Sequence, residues 1–409
     1  MTQASNTVIK WLTFGMFTMF AMTTDSVGVI IPQIIKDFNL TMTQASAFHY
    51  APMAAIALAG IFLGFMADRL GRKKTIMLGL LLFALNSFLF AVGDSFLYFV
   101  MLLAVSGAAI GVFKTGALAL IGDISSSTSE HTSIMNTVEG FFGVGAIIGP
   151  AIVTRLLTGG VSWKWLYVIA GSICLLLIGM AWLTEYPATK KSDEEPIDLN
   201  RTARMMRNPY ALAFSLAAFL YVAVECAIYV WMPTLLAGYK GSAQFMALYS
   251  ISIFFALRAG GRFLGAWVMA RQDWTLVLTI FSFAILACFA GSAVGGADAA
   301  VYLLPLSGLF MSVMYPTINS KGISCFPKSQ HGAVAGVILF FTCCGAALGP
   351  LAMGAVSDLG GHPKYGFYLA TLFAALLFVG MFFNWLRKPA MGLLKSLDQT
   401  NYLKDTATP

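Results

Sequence analysis

The sequence predicts an all-α polytopic membrane protein with twelve transmembrane helices in two pseudo-symmetric six-helix bundles. Of its 409 residues, 58% are hydrophobic and 11% are charged, and the mean hydropathy is +0.80. Apolar segments of about 20 residues, long enough to cross a bilayer as helices, recur throughout the chain. Short motifs of the first half return 200 positions later, which indicates a duplicated unit. This composition excludes a soluble globular protein.

Twelve apolar segments account for the predicted helices. We place them at 11–35, 43–67, 75–93, 96–121, 132–157, 163–184, 209–235, 243–270, 274–295, 298–323, 331–357 and 364–388. The first is expected to be a span rather than a cleaved signal peptide, because similar segments follow it. The predicted domains are an N-terminal six-helix bundle at 1–187, a cytoplasmic linker at 188–208, a C-terminal six-helix bundle at 209–388 and a cytoplasmic tail at 389–409.

The basic residues predict the orientation of the chain in the membrane. On the predicted topology, 17 of the 25 Lys and Arg residues lie on the side of the two termini, and five lie on the other side. By the positive-inside rule, both termini are cytoplasmic. This asymmetry explains the pI of about 9.0 without a nucleic-acid partner. The expected partners are a small-molecule substrate and the lipid bilayer, and the expected form is a monomer in a cell membrane, the inner membrane of a bacterium.

The repeat is clearest in two glycine-containing segments. "FFGVGAIIGP" begins at Phe141 and "FTCCGAALGP" begins at Phe341, so that Gly145 and Gly149 recur as glycines 200 positions later. Duplicated helical units are typical of carriers that bind substrate near the bilayer midplane, between two halves that rock against each other. The glycines themselves are expected to allow close helix packing, and no substrate role is assigned to them.

The loop between the second and third predicted helices carries a more specific signal. It reads "GFMADRLGRKK", from Gly64 to Lys74. This sequence resembles the signature loop of the major facilitator superfamily, and the resemblance implies that family's fold of two six-helix bundles. It also implies that Asp68 holds charged and helix-end groups of a cytoplasmic gate, while Gly64 allows close contact between helices two and eleven. The gate residues implied are Gly64, Asp68, Arg69, Gly71 and Arg72.

Part of the chain resembles a narrower group, the fucose, galactose and glucose proton symporters. The similarity extends over most of residues 209–360 and includes "FLYVAVECAIYVWMPTLL" in helix seven and "GLFMSVMYPTINSKGI" in helix ten. The first half departs from this group in two places. Where those carriers tend to have an acid before a threonine in helix four, this chain has Lys114. Their helix-one acid corresponds here to Gly28, with Asp25 one turn earlier.

Several charged and aromatic residues inside the predicted spans are candidates for the substrate site. In the superfamily that the chain resembles, helices one, four, seven and ten line the central cavity. A carboxylate near a cation can change its protonation with access to water, and aromatic rings and amides match the faces and hydroxyl edges of a sugar. The predicted substrate-binding residues are Asp25, Lys114, Glu225, Tyr229, Trp231, Tyr315 and Asn319. The predicted proton-coupling residues are Asp25, Glu139 and Glu225.

Two of these residues have alternative interpretations. A lysine inside a span costs about 2.5–3.5 kcal/mol on insertion scales, so Lys114 needs a partner, a water-filled cavity or a function. It either forms a static salt bridge that locks helix four to helix one or five, or contacts an anionic substrate. Glu139 is either part of a structural pair or a proton site. His49, at the outer end of helix two, is expected to be solvated or to cap a helix.

These features favour a secondary active transporter for proton-coupled uptake of a sugar or sugar derivative, possibly an acidic one. The proton gradient is the expected driving force, and no cofactor is expected. A drug or metabolite efflux antiporter is the alternative within the same class. A membrane-embedded sensor or scaffold without flux is the alternative from another class. The sequence contains no phosphate-binding loop, nucleophile elbow or zinc-ligand spacing, so no enzyme is predicted.

Overall fold

The structure is a computed structural model, and it describes residues 3–63, 69–125, 128–187, 205–269, 271–327 and 330–402. Within these ranges the regular structure is entirely helical, and each of the twelve predicted helices has a helical counterpart. The prediction of an all-α polytopic fold is confirmed. Nine segments of the described chain are long and apolar enough to cross a membrane; one of them, Trp274–Ser324, contains two of the predicted spans.

Eight helices belong to the first half of the chain. They are α1 (Gln3–Thr24), α2 (Val27–Phe38), α3 (Met42–Ala45), α4 (Ala47–Leu63), α5 (Arg72–Leu89), α6 (Phe96–Ile124), α7 (Thr128–Thr158) and α8 (Trp165–Leu183). Because α1 and α2 continue each other across a two-residue turn, together they form the first predicted span.

The second half contains nine helices and one short π-helix. They are α9 (Pro209–Cys226), the π-helix Ala227–Trp231, α10 (Met232–Leu235), α11 (Gln244–Leu248), α12 (Ser250–Met269), α13 (Trp274–Met311), α14 (Met314–Ser324), α15 (His331–Gly360), α16 (Lys364–Arg387) and α17 (Met391–Tyr402). Inside α13, Gly296 has φ 66° and ψ −154°, which turns the chain between the ninth and tenth predicted spans.

Polar side chains mark the first residues of several spans. Ser95 accepts a hydrogen bond from the Tyr98 amide at the start of α6, and Asn208 accepts two at the start of α9. The Asp273 side chain likewise accepts a hydrogen bond from the Thr275 amide at the start of α13. These side chains satisfy backbone N–H groups that have no partner within the helix, so the sequence itself specifies where the helices begin.

The helices divide into two compact units. The first unit consists of Met1–Asp193 and Tyr229–Ala256, and the second consists of Glu194–Ile228 and Leu257–Pro409. Most of the predicted linker, residues 188–204, lies outside the described residues. The predicted domain boundaries stay predictions.

Close backbone approach and buried aromatic rings hold the first unit together. A Cβ at Gly145 would overlap the carbonyl oxygen of Thr18, which shows how closely α7 lies against α1. The ring of Phe20 lies with its centroid 4.9 Å from that of Phe83 and 4.6 Å from that of Phe113, joining α1 to α5 and α6. The prediction that the glycines of this segment pack helices together is confirmed.

The second unit repeats this packing with its own helices. Gly345 on α15 lies against the carbonyl oxygen of Phe219 on α9, and Gly349 lies against Ala223. Gly145 and Gly345 therefore have the same role in the two halves of the sequence: each allows the backbones of two helices to come close together. The sequence repeat is a repeat of helix contacts, α1 with α7 and α9 with α15.

Candidate functional site

A buried ion pair lies inside the second unit. Nη2 of Arg258 on α12 is 2.7 Å from Oε1 of Glu225 on α9, and the two side chains are 22% and 8% exposed. Removing one member of such a pair would leave a charge in a poorly solvated place, which is costly. The pair is therefore a link between α9 and α12 that requires both charges.

The hydroxyl of Tyr221 completes this cluster. Tyr221 lies one turn before Glu225 on α9, is fully buried, and places its hydroxyl oxygen 3.1 Å from Oε1 of Glu225. The same oxygen is 3.0 Å from the carbonyl oxygen of Met311. The ring of Tyr221 also lies parallel to that of Tyr315, with 6.3 Å between centroids. Through Tyr221, the structure connects Glu225 to Tyr315, two residues predicted for the substrate site.

Tyr315 and Asn319 lie on α14 of the second unit. The Tyr315 hydroxyl is 3.5 Å from that of Thr342 on α15. Asn319 follows one helical turn later, and both side chains are half-buried. Because residues four apart share a face of a helix, α14 presents Tyr315 and Asn319 on the same side.

The helices are interrupted beside this cluster. The π-helix Ala227–Trp231 begins two residues after Glu225. On the other side of the cluster, α13 ends at Met311 and α14 begins at Met314. Single-turn π segments are rare, and those that exist often lie at functional sites. The sequence analysis missed these interruptions, and also missed Tyr221, although its spacing of four residues from Glu225 is a visible signal.

The first unit contains Asp25 and Lys114. Asp25 lies in the turn between α1 and α2, is half-buried, and accepts a hydrogen bond of 3.0 Å from the Thr24 hydroxyl. Lys114 on α6 is half-buried, with its Nζ 5.5 Å from the centroid of the Phe142 ring. The neighbouring Phe113 ring packs on Phe17 and Phe20.

The other predicted site residues of the first unit have contrasting environments. Glu139 on α7 is exposed, whereas Trp231 is fully buried, with 1% of its surface accessible. Tyr229 is half-buried, and its ring centroid is 5.5 Å from that of His49. His49 itself is 1% exposed, so the solvated alternative was wrong, whereas the helix-capping alternative stays a prediction. The roles predicted for Glu139, Trp231 and Tyr229 stay predictions.

The structure gives a steric reason for Gly28. A Cβ at this position would overlap the carbonyl oxygen of Tyr229 in the π-helix. An acidic side chain, such as the one that the resembling sugar symporters tend to have here, would not fit in this conformation. The close approach of α2 to the π-helix therefore depends on the absence of a side chain at Gly28.

The predicted gate loop is partly described. Gly64 and Asp68 lie outside the described residues. Arg69 is exposed, and Gly71 has φ 87°, a conformation that favours glycine, directly before α5. Nε of Arg72 donates a hydrogen bond of 2.9 Å to Oδ2 of Asp123. The Arg72–Asp123 pair joins the beginning of α5 to the end of α6; the sequence analysis did not identify Asp123.

A second ion pair of the second unit lies outside the spans. Nζ of Lys388 is 2.6 Å from Oδ2 of Asp273, and the two side chains are 42% and 28% exposed. Burial raises the pKa of Asp273, but hydrogen bonds from Lys388 and from the amide and hydroxyl of Thr275 lower it by more. The net pKa of Asp273 is below its usual value, so the pair persists in moderately acidic solution.

Comparison with known proteins places these features in a family. A family model described as the Major Facilitator Superfamily matches residues 13–343. The L-fucose-proton symporter of Escherichia coli (strain K12) is 25% identical over 408 residues, covering 89% of this chain and 90% of the symporter. The glucose/galactose transporter of Brucella abortus (strain 2308) is 22% identical over 386 residues, covering 90% and 92%. The quinolone resistance protein NorA of Staphylococcus aureus (strain N315) is 25% identical over 387 residues, covering 89% and 93%.

Solved structures of transporters share the fold. The nucleoside transporter NupG has a TM-score of 0.72 at 14% identity, with 96% of this chain and 99% of that chain covered. A bacterial homolog of the human lysosomal transporter Spinster, inward-facing and unoccupied, has a TM-score of 0.71 at 16% identity, with both chains fully covered. FucP, in the outward conformation, has a TM-score of 0.64 at 23% identity, with 93% and 99% covered. At these identities the structures show a common fold.

Proposed function

The chain belongs to the major facilitator superfamily, and on this premise we propose that it takes up a sugar or sugar derivative by proton-coupled alternating access. As a member of that superfamily it is a multi-pass membrane transporter, not an enzyme, and it binds a small-molecule substrate within the bilayer. The resemblance to the fucose, galactose and glucose proton symporters is confirmed. The proposal includes the class of solute, the coupling to protons, the direction of transport and the cytoplasmic position of both termini.

The observation that carries the proposal is the buried pair of Glu225 and Arg258. Protonation of the Glu225 carboxylate removes the negative charge that neutralises Arg258, so one proton changes the link between α9 and α12. A transporter coupled to protons requires a group of this kind, which binds and releases a proton as its access to water changes. The similarity to a proton symporter along nearly the whole chain supports the same assignment.

Acidic sugars are included because of Lys114. A half-buried cation within a span normally has a partner, a water-filled cavity or a function. A carboxylate on the solute would interact favourably with such a cation, whereas a neutral hexose would interact through its hydroxyl groups. The proposed substrate class therefore covers both neutral hexoses and hexuronates.

Flux into proteoliposomes tests the proposal. We expect the purified protein to accumulate at least one member of a panel of neutral hexoses and hexuronates when the outside is acidic. Glu225→Gln should lose accumulation driven by the pH gradient but retain exchange of labelled for unlabelled solute, because exchange requires no net proton movement. The matched control is Asp37→Asn, a change at an exposed carboxylate. Accumulation by Glu225→Gln equal to that of the unchanged protein would contradict proton coupling at Glu225.

The second candidate is efflux, favoured by the similarity to the quinolone resistance protein NorA. Efflux predicts that cells producing the protein retain less of a fluorescent quinolone when a proton gradient is present. Sugars should then neither be accumulated nor compete with the quinolone. A sensor without flux, the candidate from another class, predicts solute binding with no transport in the same vesicles.

A further inference from the structure

The Tyr221 hydroxyl has one hydrogen and two acceptors within reach. Oε1 of Glu225 is 3.1 Å away and the carbonyl oxygen of Met311 is 3.0 Å away. A tyrosine hydroxyl donates one hydrogen bond and can accept others through its lone pairs. Tyr221 is 0% exposed, so this oxygen is shielded from bulk solvent. The two acceptors therefore compete for the same hydrogen.

The second acceptor lies at a break in the tenth span. Met311 is the last residue of α13, and α14 begins at Met314. No side chain caps the start of α14, where Val313 holds the capping position. Carbonyl groups at the end of a helix lack the partners that continuous helix would supply, so a donor from another helix stabilises the break. The Tyr221 hydroxyl on α9 is such a donor.

We propose that Tyr221 is a positioning residue that transmits the protonation state of Glu225 to the helix break at Met311–Met314. When Glu225 is ionised, its carboxylate accepts the Tyr221 hydrogen, since a charged acceptor forms the stronger hydrogen bond. When Glu225 binds a proton, its new O–H donates to the Tyr221 oxygen, and the Tyr221 hydrogen turns to the Met311 carbonyl. One proton is added to Glu225, and the hydroxyl hydrogen rotates without leaving its oxygen.

The groups that face the cluster are two arginines, an aromatic ring and two glycines. Arg258 on α12 neutralises ionised Glu225, and Arg262, one turn further along α12, adds a second positive charge close enough to act on Tyr221. Tyr315 on α14 stacks on the Tyr221 ring. From α15, the close contacts with α9 are made by Gly345 and Gly349, which bring no charge. Protonation of Glu225 therefore leaves both arginines charged, weakens the link to Arg258 and changes the hydrogen bonds of Tyr221.

The inference rests on the proposed proton site at Glu225, but it assigns a role to Tyr221. It can be tested without a substrate, by a measurement on the protein itself. Hydrogen–deuterium exchange of the amides at 312–317 reports the break directly. The protein is placed in lipid nanodiscs at a series of pH values from about 3.5 to about 8, and rates are corrected for the intrinsic effect of pH. We expect these amides to be about fivefold better protected at the acidic end, where Met311 gains a hydrogen bond.

Two substitutions separate the inference from the proposed function. Tyr221→Phe keeps the ring that stacks on Tyr315 but removes the hydroxyl, so protection at 312–317 should no longer change with pH. Tyr210→Phe is the matched control: it makes the same change on α9 at an exposed hydroxyl near Pro389, and should retain the change. Glu225→Gln, which stays neutral at every pH, should also lose the pH dependence.

The outcomes are distinct. If Glu225→Gln abolishes the pH dependence and Tyr221→Phe retains it, Glu225 acts as a proton site without Tyr221, and the inference is wrong. If protection at 312–317 depends on pH in Glu225→Gln as it does in the unchanged protein, Glu225 is not the proton site. The Glu225–Arg258 pair then no longer supports the proposed function. Loss in both variants, with retention in Tyr210→Phe, supports both.

A second measurement applies if Tyr221→Phe does not fold. 3-Fluorotyrosine at position 221 retains the hydroxyl, and its ¹⁹F resonance reports the hydrogen bonds at that oxygen. The resonance should shift with pH in the otherwise unchanged protein and stay constant when combined with Glu225→Gln. A resonance that does not move across the same pH series, in a protein whose 312–317 protection does change, would overturn the role of Tyr221.

Discussion

Asp25 and Glu225 occupy equivalent positions of the sequence repeat but have different surroundings. Each lies at an interruption of its helix: Asp25 between α1 and α2, and Glu225 two residues before the π-helix. Glu225 is buried against Arg258, whereas Asp25 is half-buried beside the Thr24 hydroxyl. Aligned through "GIFLG" at Gly60 and "GRFLG" at Gly261, the position that corresponds to Arg258 in the first half is Ala57. Both halves contain an acid beside an interruption of a helix, but the first half has no arginine at the position equivalent to Arg258.

This difference indicates where a proton has the larger structural effect. In the second unit, neutralising one carboxylate alters an ion pair, a tyrosine hydroxyl and a helix break within one cluster. In the first unit, the acid lies in the turn itself, where it accepts a hydrogen bond from the Thr24 hydroxyl.

Arg258→Met should be the most damaging change, because it leaves Glu225 buried with its charge uncompensated. We expect a loss of about 3–5 kcal/mol in the free energy of unfolding. Adding Glu225→Gln should restore most of this loss, since the double variant buries no isolated charge. Thermal unfolding in detergent measures both.

The matched control for Arg258→Met is Arg262→Met, which removes the same type of side chain from the same helix one turn later. For Arg262, the described part of the chain provides no carboxylate within ion-pair distance. Its loss should therefore be clearly smaller. Equal losses for the two arginine variants would show that the Glu225–Arg258 pair is not what distinguishes the second unit.

Lys114→Gln tests the first unit. We expect affinity for hexuronates to fall about tenfold or more, as for loss of a hydrogen bond to a charged group, with neutral hexoses little affected. Asp25→Asn added to Lys114→Gln should not restore hexuronate binding if Lys114 contacts the solute. Restored binding and melting temperature in the double variant would instead identify a static pair with Asp25. Isothermal titration and thermal unfolding of the three variants separate the two interpretations.

Gly145→Ala and Gly345→Ala compare the packing of the two units. Each added methyl group meets backbone of the facing helix, Thr18 in the first case and Phe219 in the second. Such overpacking typically costs about 1–3 kcal/mol. The control is Gly143→Ala on α7, whose Cβ would meet no atom within 4 Å. This variant should be neutral or slightly stabilised, because alanine favours helix over glycine; a loss equal to that of Gly145→Ala would contradict the packing role.

The exposed pair of Asp273 and Lys388 should have the smallest effect, confined to acidic solution. Because the pKa of Asp273 in the folded protein is below its usual value, the pair stabilises the fold at neutral pH. This contribution should be lost as the pH falls below about 4 and passes through the lowered pKa. In Asp273→Asn, the melting temperature should be less sensitive to acid than in the unchanged protein. Asp37→Asn should leave that sensitivity as it is.

Much of the fold was predictable from local features. Hydrocarbon accepts a chain only as helices long enough to cross it, so runs of about 20 apolar residues define spans wherever they occur. The glycines at 145 and 345 indicated close packing because only small residues allow helix backbones to touch. The Gly71 turn followed from a family signature. Each of these signals is contained within a few neighbouring residues.

The helices, their repeat and a set of charged residues within the spans are predictable from sequence alone, whereas the contacts between those residues depend on the tertiary structure. Glu225 and Arg258 are 33 positions apart, and Tyr221 and Met311 are 90 apart. Their contacts depend on how each helix is rotated about its axis and how its neighbours tilt. Apolar spans specify these quantities poorly, because a helix surrounded by lipid and other apolar helices has no single hydrophobic face. The burial of His49 and Trp231 was decided in the same way, by neighbouring helices distant in sequence.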